Sequence, residues 1–409
     1  MKFHRPLVLA VAETLHNIFE KGVYADQAVE KLLKGPQRWG SRDRKFLAAS
    51  VYGIVRGKRL YESILDKMGF QAPFDHFLLA GVYYCLETDL LPSWPEWTAL
   101  EKEKVFQARE DFRLKPEIFY SVPDWLHQKG MKEFGAEKWI PELQALNEEA
   151  AVVVRLNALK GSKDLLVSKI FEDGIQLKEL QNSFVKMHDE QVFAMELAER
   201  KNLMNQGTYL SGFFEIQDAG SQLIAPFLDA KPGEVVIDAC AGGGGKTLHL
   251  AALMKNKGKI VAMDVHGYKL RNLEKRLQRA GVKIAETKEI TEEQIGFLNS
   301  TADALLLDVP CSGSGVLRRK ADTKWKLKEE ELAGLVLLQR KLLMEYSTML
   351  KPGGRMVYAT CSIFSEENEE QVQWFLNVQK DQFQCIKQKR VLPSEGYDGF
   401  YMALLQNRS

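Results

Sequence analysis

The chain has 409 residues, 45% of them apolar and 27% charged, with a formal net charge of +1. That length exceeds what one compact core accommodates, so two or three domains of ordinary globular composition are expected. The overall charge decides nothing about partners, and the absence of any run approaching about eighteen apolar residues excludes a helical membrane span.

The opening stretch "MKFHRPLVLAVAETLHNIF" has a basic start and a short apolar run. Glu13 interrupts the run and the apolar residues continue at helical spacing, so it reads as a helix and not as a signal peptide. Spacings of three and four persist to about residue 140, as in "DQAVEKLLKG" and "KFLAASVYGIVRGKRLYESILDKM", which predicts an all-α domain over 1–140. Residues 1–70 carry 13 Lys and Arg against 7 acids, whereas residues 71–150 carry 8 against 15. The basic cluster of Arg38, Arg42, Arg44, Lys45, Arg56, Lys58 and Arg59 has two readings, a solvated helical face or an RNA contact. Over 141–215 the texture changes. "AVVVRLNAL" is strand-like, "DLLVSKIFEDG" is helical with a glycine stop, and "GTYLSGFFEIQD" is extended, so a small α+β bridging module is expected.

From 216 to 409 strands and helices alternate. "EVVIDAC", "KIVAMDV", "ADALLLDVP" and "RMVYATCS" are continuous apolar runs of the kind buried on both faces, with helical segments between them. This predicts an α/β doubly wound parallel sheet, in which ligands bind beyond the carboxyl ends of the strands. The runs end on Cys240, Asp264, Asp308 to Cys311, and Cys361. The five cysteines, completed by Cys85 and Cys385, form no Cys-x-x-Cys pair. Neither a disulfide framework nor a zinc site is indicated, and free thiols fit a reducing cytoplasm.

"ACAGGGGKT" at 239–247 invites comparison with phosphate-binding loops. A P-loop would place glycine at 240, where Cys240 stands, and the Gly-x-Gly-x-x-Gly dinucleotide pattern fails at Thr247. What remains is a loop of Gly242, Gly243, Gly244 and Gly245 that permits close backbone approach and opens a helix whose free N–H groups favour an anion. Asp264, twenty residues after Gly244, can accept both ribose hydroxyls. A ribose-bearing ligand with an amino-acid carboxylate satisfies both ends, which points to S-adenosylmethionine.

Taken together, "DACAGGGGKT", "LLDVPCSGSGVLRRKADTKW" and "YATCSIFSEENEEQV", with "EIQDAGSQL" upstream, resemble the RsmB/NSUN family of RNA cytosine-5 methyltransferases. The resemblance covers about 150–409, and "RDRKFLAASVYGIVRGKRLYESIL" is similar to the NusB-like RNA-binding domain of bacterial members. It implies a class-I, Rossmann-like methyltransferase domain, with Cys240, Ala241, Gly242, Gly243, Gly244, Gly245, Lys246, Asp264, Lys269 and Asp308 toward the cofactor. The chain departs from the family in having Gly242-Gly243 for Ala-Pro. The acid expected near the adenine has no assigned counterpart around Glu289 and Ile290.

Carbon 5 of cytosine is a poor nucleophile until a thiolate adds to carbon 6, which is why the chemistry needs cysteine. Two cysteines compete for that role, and the residues alone leave the order open. The resemblance implies that Cys361 attacks and Cys311 assists product release, with Asp308 stabilising the adduct. Cys240 reads as a packing residue whose backbone faces the cofactor. The acids of "SEENEE" read as dipole-matched residues of a first helical turn. The basic run "VLRRKADTKWKLK" offers Arg318, Arg319 and Lys324 for phosphates and Trp325 for stacking, against the alternative that Trp325 is a core anchor. The expected protein is a monomeric cytoplasmic enzyme that methylates a cytosine of 16S ribosomal RNA. Its rivals are the same chemistry on transfer or 23S RNA, and a non-catalytic ribosome-assembly factor that binds RNA.

Overall fold

The computed structural model describes residues 3–35, 39–180 and 194–409; Arg38 of the basic cluster lies outside them. The chain divides into two compact units, Met1–Glu148 with Leu317–Glu329, and Glu149–Val316 with Glu330–Ser409.

Among its described residues the first unit is helical: α1 (Arg5–Phe19), α2 (Ala25–Lys34), α3 (Ser41–Lys67), α4 (His76–Thr88), α5 (Lys102–Asp111), α6 (Pro116–Phe119) and α7 (Asp124–Asn147). Apolar residues three and four apart on α1 and α3 close its core, with Val8, Val11, Leu15, Leu47, Val51 and Ile54 buried. Asp75 starts α4 by accepting the Phe77 N–H at 2.6 Å. The α7 segment breaks at Gly135 and then crosses the expected boundary at 140, because Trp139, Leu143 and Leu146 on its far half are buried.

The basic run after Cys311 belongs to this helical unit, which corrects the expectation for its side chains. Trp325 donates its indole N–H to the Val55 carbonyl at 2.7 Å, and the Lys324 ammonium donates to the Arg56 carbonyl at 2.8 Å. Asp322 accepts the Ala25 N–H at 2.9 Å. Lys324 is 3% exposed and Arg318 5%, and Arg319 is half-buried. Burial, with Arg56 beside it, pulls the Lys324 ammonium well below its ordinary pKa. Arg318 and Lys324 are therefore buried within this unit and turned away from solvent, while Trp325 is half-buried with its indole tied to the Val55 carbonyl.

The second unit carries two sheets. Strands β1 (Val153–Leu156), β2 (Leu177–Glu179), β3 (Ala194–Leu197) and β4 (Phe214–Ile216) form an antiparallel sheet in the order β2-β3-β1-β4. Helix α8 (Lys163–Glu172), capped by Ser162, buries Leu166 and Ile170 with this sheet's Val154, Leu156 and Phe214. The extended reading of "GTYLSGFFEIQD" holds only for its second half, since Gly207–Leu210 is a helical turn.

The larger sheet comprises β5 (Val235–Asp238), β6 (Lys259–Asp264), β7 (Ala285–Glu289), β8 (Ala302–Asp308), β9 (Leu350–Thr360), β10 (Phe383–Val391) and β11 (Phe400–Asn407), ordered β10-β11-β9-β8-β5-β6-β7. The five strands from β9 to β7 are parallel, while β11 and β10 add an antiparallel edge. Between them run α9 (Gly245–Leu253), α10 (Gly267–Ala280), α11 (Glu329–Ser347) and α12 (Glu369–Val378). The chain steps outward from β5 to β7 and then returns to β8 on the other side of β5. That reversal opens a crevice between the carboxyl ends of β5 and β8, where such sheets bind ligands.

Candidate active site

The crevice is a cavity of about 280 Å³ lined by Gln217, Ser221, Asp238, Gly242, Arg276 and Asp308, among others. Its floor is the glycine loop. Gly242 (φ 53°) and Gly244 (φ 82°) take left-handed backbone, and a Cβ on Gly244 would lie 2.0 Å from the Leu273 side chain. Gly245 then begins α9. Asp264, at the end of β6, accepts the Gly242 N–H at 3.0 Å and the His266 N–H at 2.9 Å, and Lys269 stands 3.5 Å away. Ala241 is buried, and its N–H is taken by the Met263 carbonyl at 2.8 Å. Cys240 is half-buried, and burial with the charges of Asp238, Asp308 and Asp264 pushes its thiol well above the ordinary range. Arg276 reaches the Gly243 carbonyl and Glu215.

Lys246, one residue into α9, donates to Asp308 at 2.5 Å. Burial works against its charge, but Asp308 outweighs it and holds the ammonium above its ordinary value. Behind this pair, Asp238 is buried; one oxygen accepts the Thr247 hydroxyl at 2.7 Å and the other has no hydrogen-bond partner. Burial raises its pKa to about 6, against the Thr247 bond and assisted by Asp308.

The two site cysteines meet across the β8 and β9 ends, with their sulfurs 3.3 Å apart. The Cys361 N–H also donates to the Cys311 sulfur at 3.3 Å. Hydrogen bonding to Cys361, then burial, then the charges of Cys361 and Glu367 push the Cys311 thiol well above its usual range. Of the "SEENEE" acids, Glu369 and Glu370 stand in the first turn of α12 as expected, but Glu367 does not. Glu367 is fully buried in a 3-10 turn, Ser365–Glu367, while Glu369 pairs with Arg390. Sequence reasoning also missed Asp238 and Arg276. Asp238 is marked in the sequence as an acid inside an otherwise apolar strand end; for Glu367 and Arg276 no local pattern separates them from surface residues.

Residues 225–406 match the family described as 16S rRNA methyltransferase RsmB/F. A probable ribosomal RNA small subunit methyltransferase B of Bacillus subtilis is 30% identical, covering 76% of this chain and 72% of that protein. The chain belongs to the RsmB/F methyltransferase family. A Vibrio vulnificus ribosomal RNA small subunit methyltransferase B is 29% identical over 97% of this chain and 98% of its own length. Among solved structures, a methyltransferase homolog protein from Pyrococcus horikoshii superposes with a TM-score of 0.62 at 29% identity, covering 72% of this chain and 98% of that one.

As in other RsmB/F proteins, the cofactor is S-adenosylmethionine, and the crevice fits it. Gly242, Gly243 and Gly245 line the crevice without side chains, and Asp264 keeps acceptor capacity beyond its two backbone bonds. The orphaned Asp238 oxygen gives the crevice an acceptor for an ammonium group.

Proposed function

We propose that this RsmB/F protein is an RNA cytosine-5 methyltransferase acting on 16S ribosomal RNA through a covalent cysteine adduct. The observation that carries the reading is the 3.3 Å approach of Cys311 and Cys361, beside the Lys246–Asp308 pair, at the rim of the crevice. S-adenosylmethionine supplies an electrophilic methyl group there. Cys240, Ala241, Gly242, Gly243, Gly244, Gly245, Lys246, Asp264, Lys269 and Asp308 would hold it, with Asp264 taking ribose hydroxyls and the loop N–H groups the carboxylate.

The Cys361 thiolate adds to carbon 6 of a cytosine turned out of its stack, which makes carbon 5 nucleophilic. In this reading the Asp308 carboxyl group bonds the ring's N3 and amino edge as the adduct forms. After methylation the carbon 5 proton is removed, the sulfur–carbon bond breaks, and Cys311 assists that release. The helical unit, in this reading a NusB-like RNA-binding domain, offers exposed Arg42, Arg44 and Lys45 at the start of α3. Binding through such contacts weakens as salt rises. The working protein is a cytoplasmic monomer.

The test is transfer of labelled methyl groups to RNA from a strain lacking the gene. Wild type should label 16S ribosomal RNA and Cys361→Ala should not, while Cys311→Ala should accumulate an RNA–protein adduct that survives denaturing electrophoresis. An adduct from Cys361→Ala instead would reverse the two cysteines. Label confined to transfer RNA would move the substrate, and no label on any RNA would favour a binding factor.

A further inference from the structure

Glu367 is an acidic side chain with no exposure, six residues past Cys361 on the turn Ser365–Glu367 and outside the lining of the crevice. Its carboxylate accepts the Ser312 N–H at 2.8 Å, the Ser312 hydroxyl at 2.5 Å and the Gln339 amide at 3.1 Å. Gln339 also donates to the Pro310 carbonyl at 3.0 Å, so the residues on both sides of Cys311 are tied to this one carboxylate. From the other strand, the Tyr358 hydroxyl donates to the Glu367 carbonyl at 2.6 Å, and Asn368 bonds Thr360 and the Ser362 carbonyl on either side of Cys361. Ser312, Ser314 and Ser362 close the gap through their hydroxyls, with Ser314 and Ser362 3.0 Å apart. These three donors to the Glu367 carboxylate are all neutral.

Burying a carboxylate among neutral donors costs several kcal/mol, and packed apolar side chains would fill the same space without that cost. We propose that Glu367 is a positioning residue of the active site: its carboxylate locks the Cys311 loop to the Cys361 loop and keeps the proton on Cys311 while Cys361 attacks. The charges around the sulfur pair are asymmetric. Lys246 places positive charge toward Cys361, Glu367 places negative charge toward Cys311, and the remaining titratable neighbour of Cys311, Tyr358, is itself held neutral by burial. A negative charge behind Cys311 disfavours a second thiolate beside the first, so one sulfur is left to act as nucleophile and the other as a proton carrier. The assignment of roles rests on the methyltransferase reading, but the clamp and the protonation state do not.

The experiment compares Glu367→Gln with wild type in the full chain. Alkylation of the free protein by iodoacetamide is followed at Cys311 and Cys361 by peptide mass spectrometry across pH 6 to 10, next to methyl transfer to RNA. Gln keeps an acceptor for Ser312 and removes the charge. Cys311 should then alkylate about tenfold faster at pH 8, with the onset moved to lower pH, and kcat should fall with little change in KM for S-adenosylmethionine. An unchanged Cys311 profile in a folded Glu367→Gln protein overturns the proposal. Should that variant fail to fold, Ser312→Ala removes the hydroxyl's bonds to Glu367, Ser314 and Ser362, leaves the Ser312 N–H bond to Glu367, and must slow turnover; unaltered turnover is equally fatal. A shifted alkylation profile in a protein that methylates no RNA upholds the clamp and defeats only the functional reading.

Discussion

Asp238 illustrates how a single buried group ties stability to the ligand site. Its folded pKa of about 6 lies above that of an exposed aspartate, so the folded chain holds a proton that the unfolded chain has released between pH 4 and 6. The sign follows: stability falls as pH rises through that window, and above it the full cost remains. Asp238→Asn stays neutral and keeps an acceptor for Thr247. Its gain in stability over wild type should be near zero at pH 4 and level off near about 2–3 kcal/mol at pH 7, read from denaturant midpoints without ligand. The same change removes the unpartnered oxygen, so cofactor affinity measured by calorimetry should drop about tenfold or more. Equal stability of the two proteins at both pH values would show that Asp238 is not titrating in the fold. Asp264 is the contrasting case. It already accepts two backbone N–H groups, and Asp264→Asn turns an amide toward one of them, so cofactor binding should weaken with a loss of about 1–3 kcal/mol in stability.

At the level of elements, the glycine loop separates conformational need from mere composition. Gly244 combines a left-handed backbone with a Leu273 methyl where a Cβ would stand, whereas at Gly243 the nearest obstacle is the end of the flexible Arg276 side chain, 3.1 Å away. Gly244→Ala should cost about 2–4 kcal/mol and abolish cofactor binding, while Gly243→Ala should change the melting temperature little. Comparable melts for the two variants would sink that distinction. The parallel strands β5, β6, β8 and β9 were legible because strands buried on both faces read as unbroken apolar runs. The edge strands were not. β7 is "AETKE", with no buried residue, and β10 carries the polar run "KQKR" before its buried end, so neither differs in pattern from a surface helix. In the site, residues at strand ends could be read in sequence order, and Cys311 and Cys361 do meet. The Glu367 clamp could not, because it joins loops fifty-five residues apart through side chains that look solvated in one dimension.

For the whole molecule, the consequential feature is where the chain travels after the site. Five residues past Cys311 it leaves the α/β unit, contributes Leu317–Glu329 to the helical unit, and returns at Glu330. The helical core is thus completed by a segment encoded far from it, through the Trp325–Val55, Lys324–Arg56 and Asp322–Ala25 bonds. The charge pattern of that segment suggested an RNA grip, and the two roles make opposite forecasts for Trp325→Ala. A stacking residue would lose RNA affinity and leave the fold intact. An anchor should instead destabilise the helical unit by about 2–4 kcal/mol, since a large ring and an indole bond to an interior carbonyl are removed together. Hydrogen exchange on the full chain reads the difference: peptides spanning Tyr52–Arg59 should lose protection, peptides from β5 and β8 should keep theirs, and cofactor affinity should be unchanged. Unaltered exchange in α3, with weakened RNA binding, would return Trp325 to the RNA and detach this segment from the helical core.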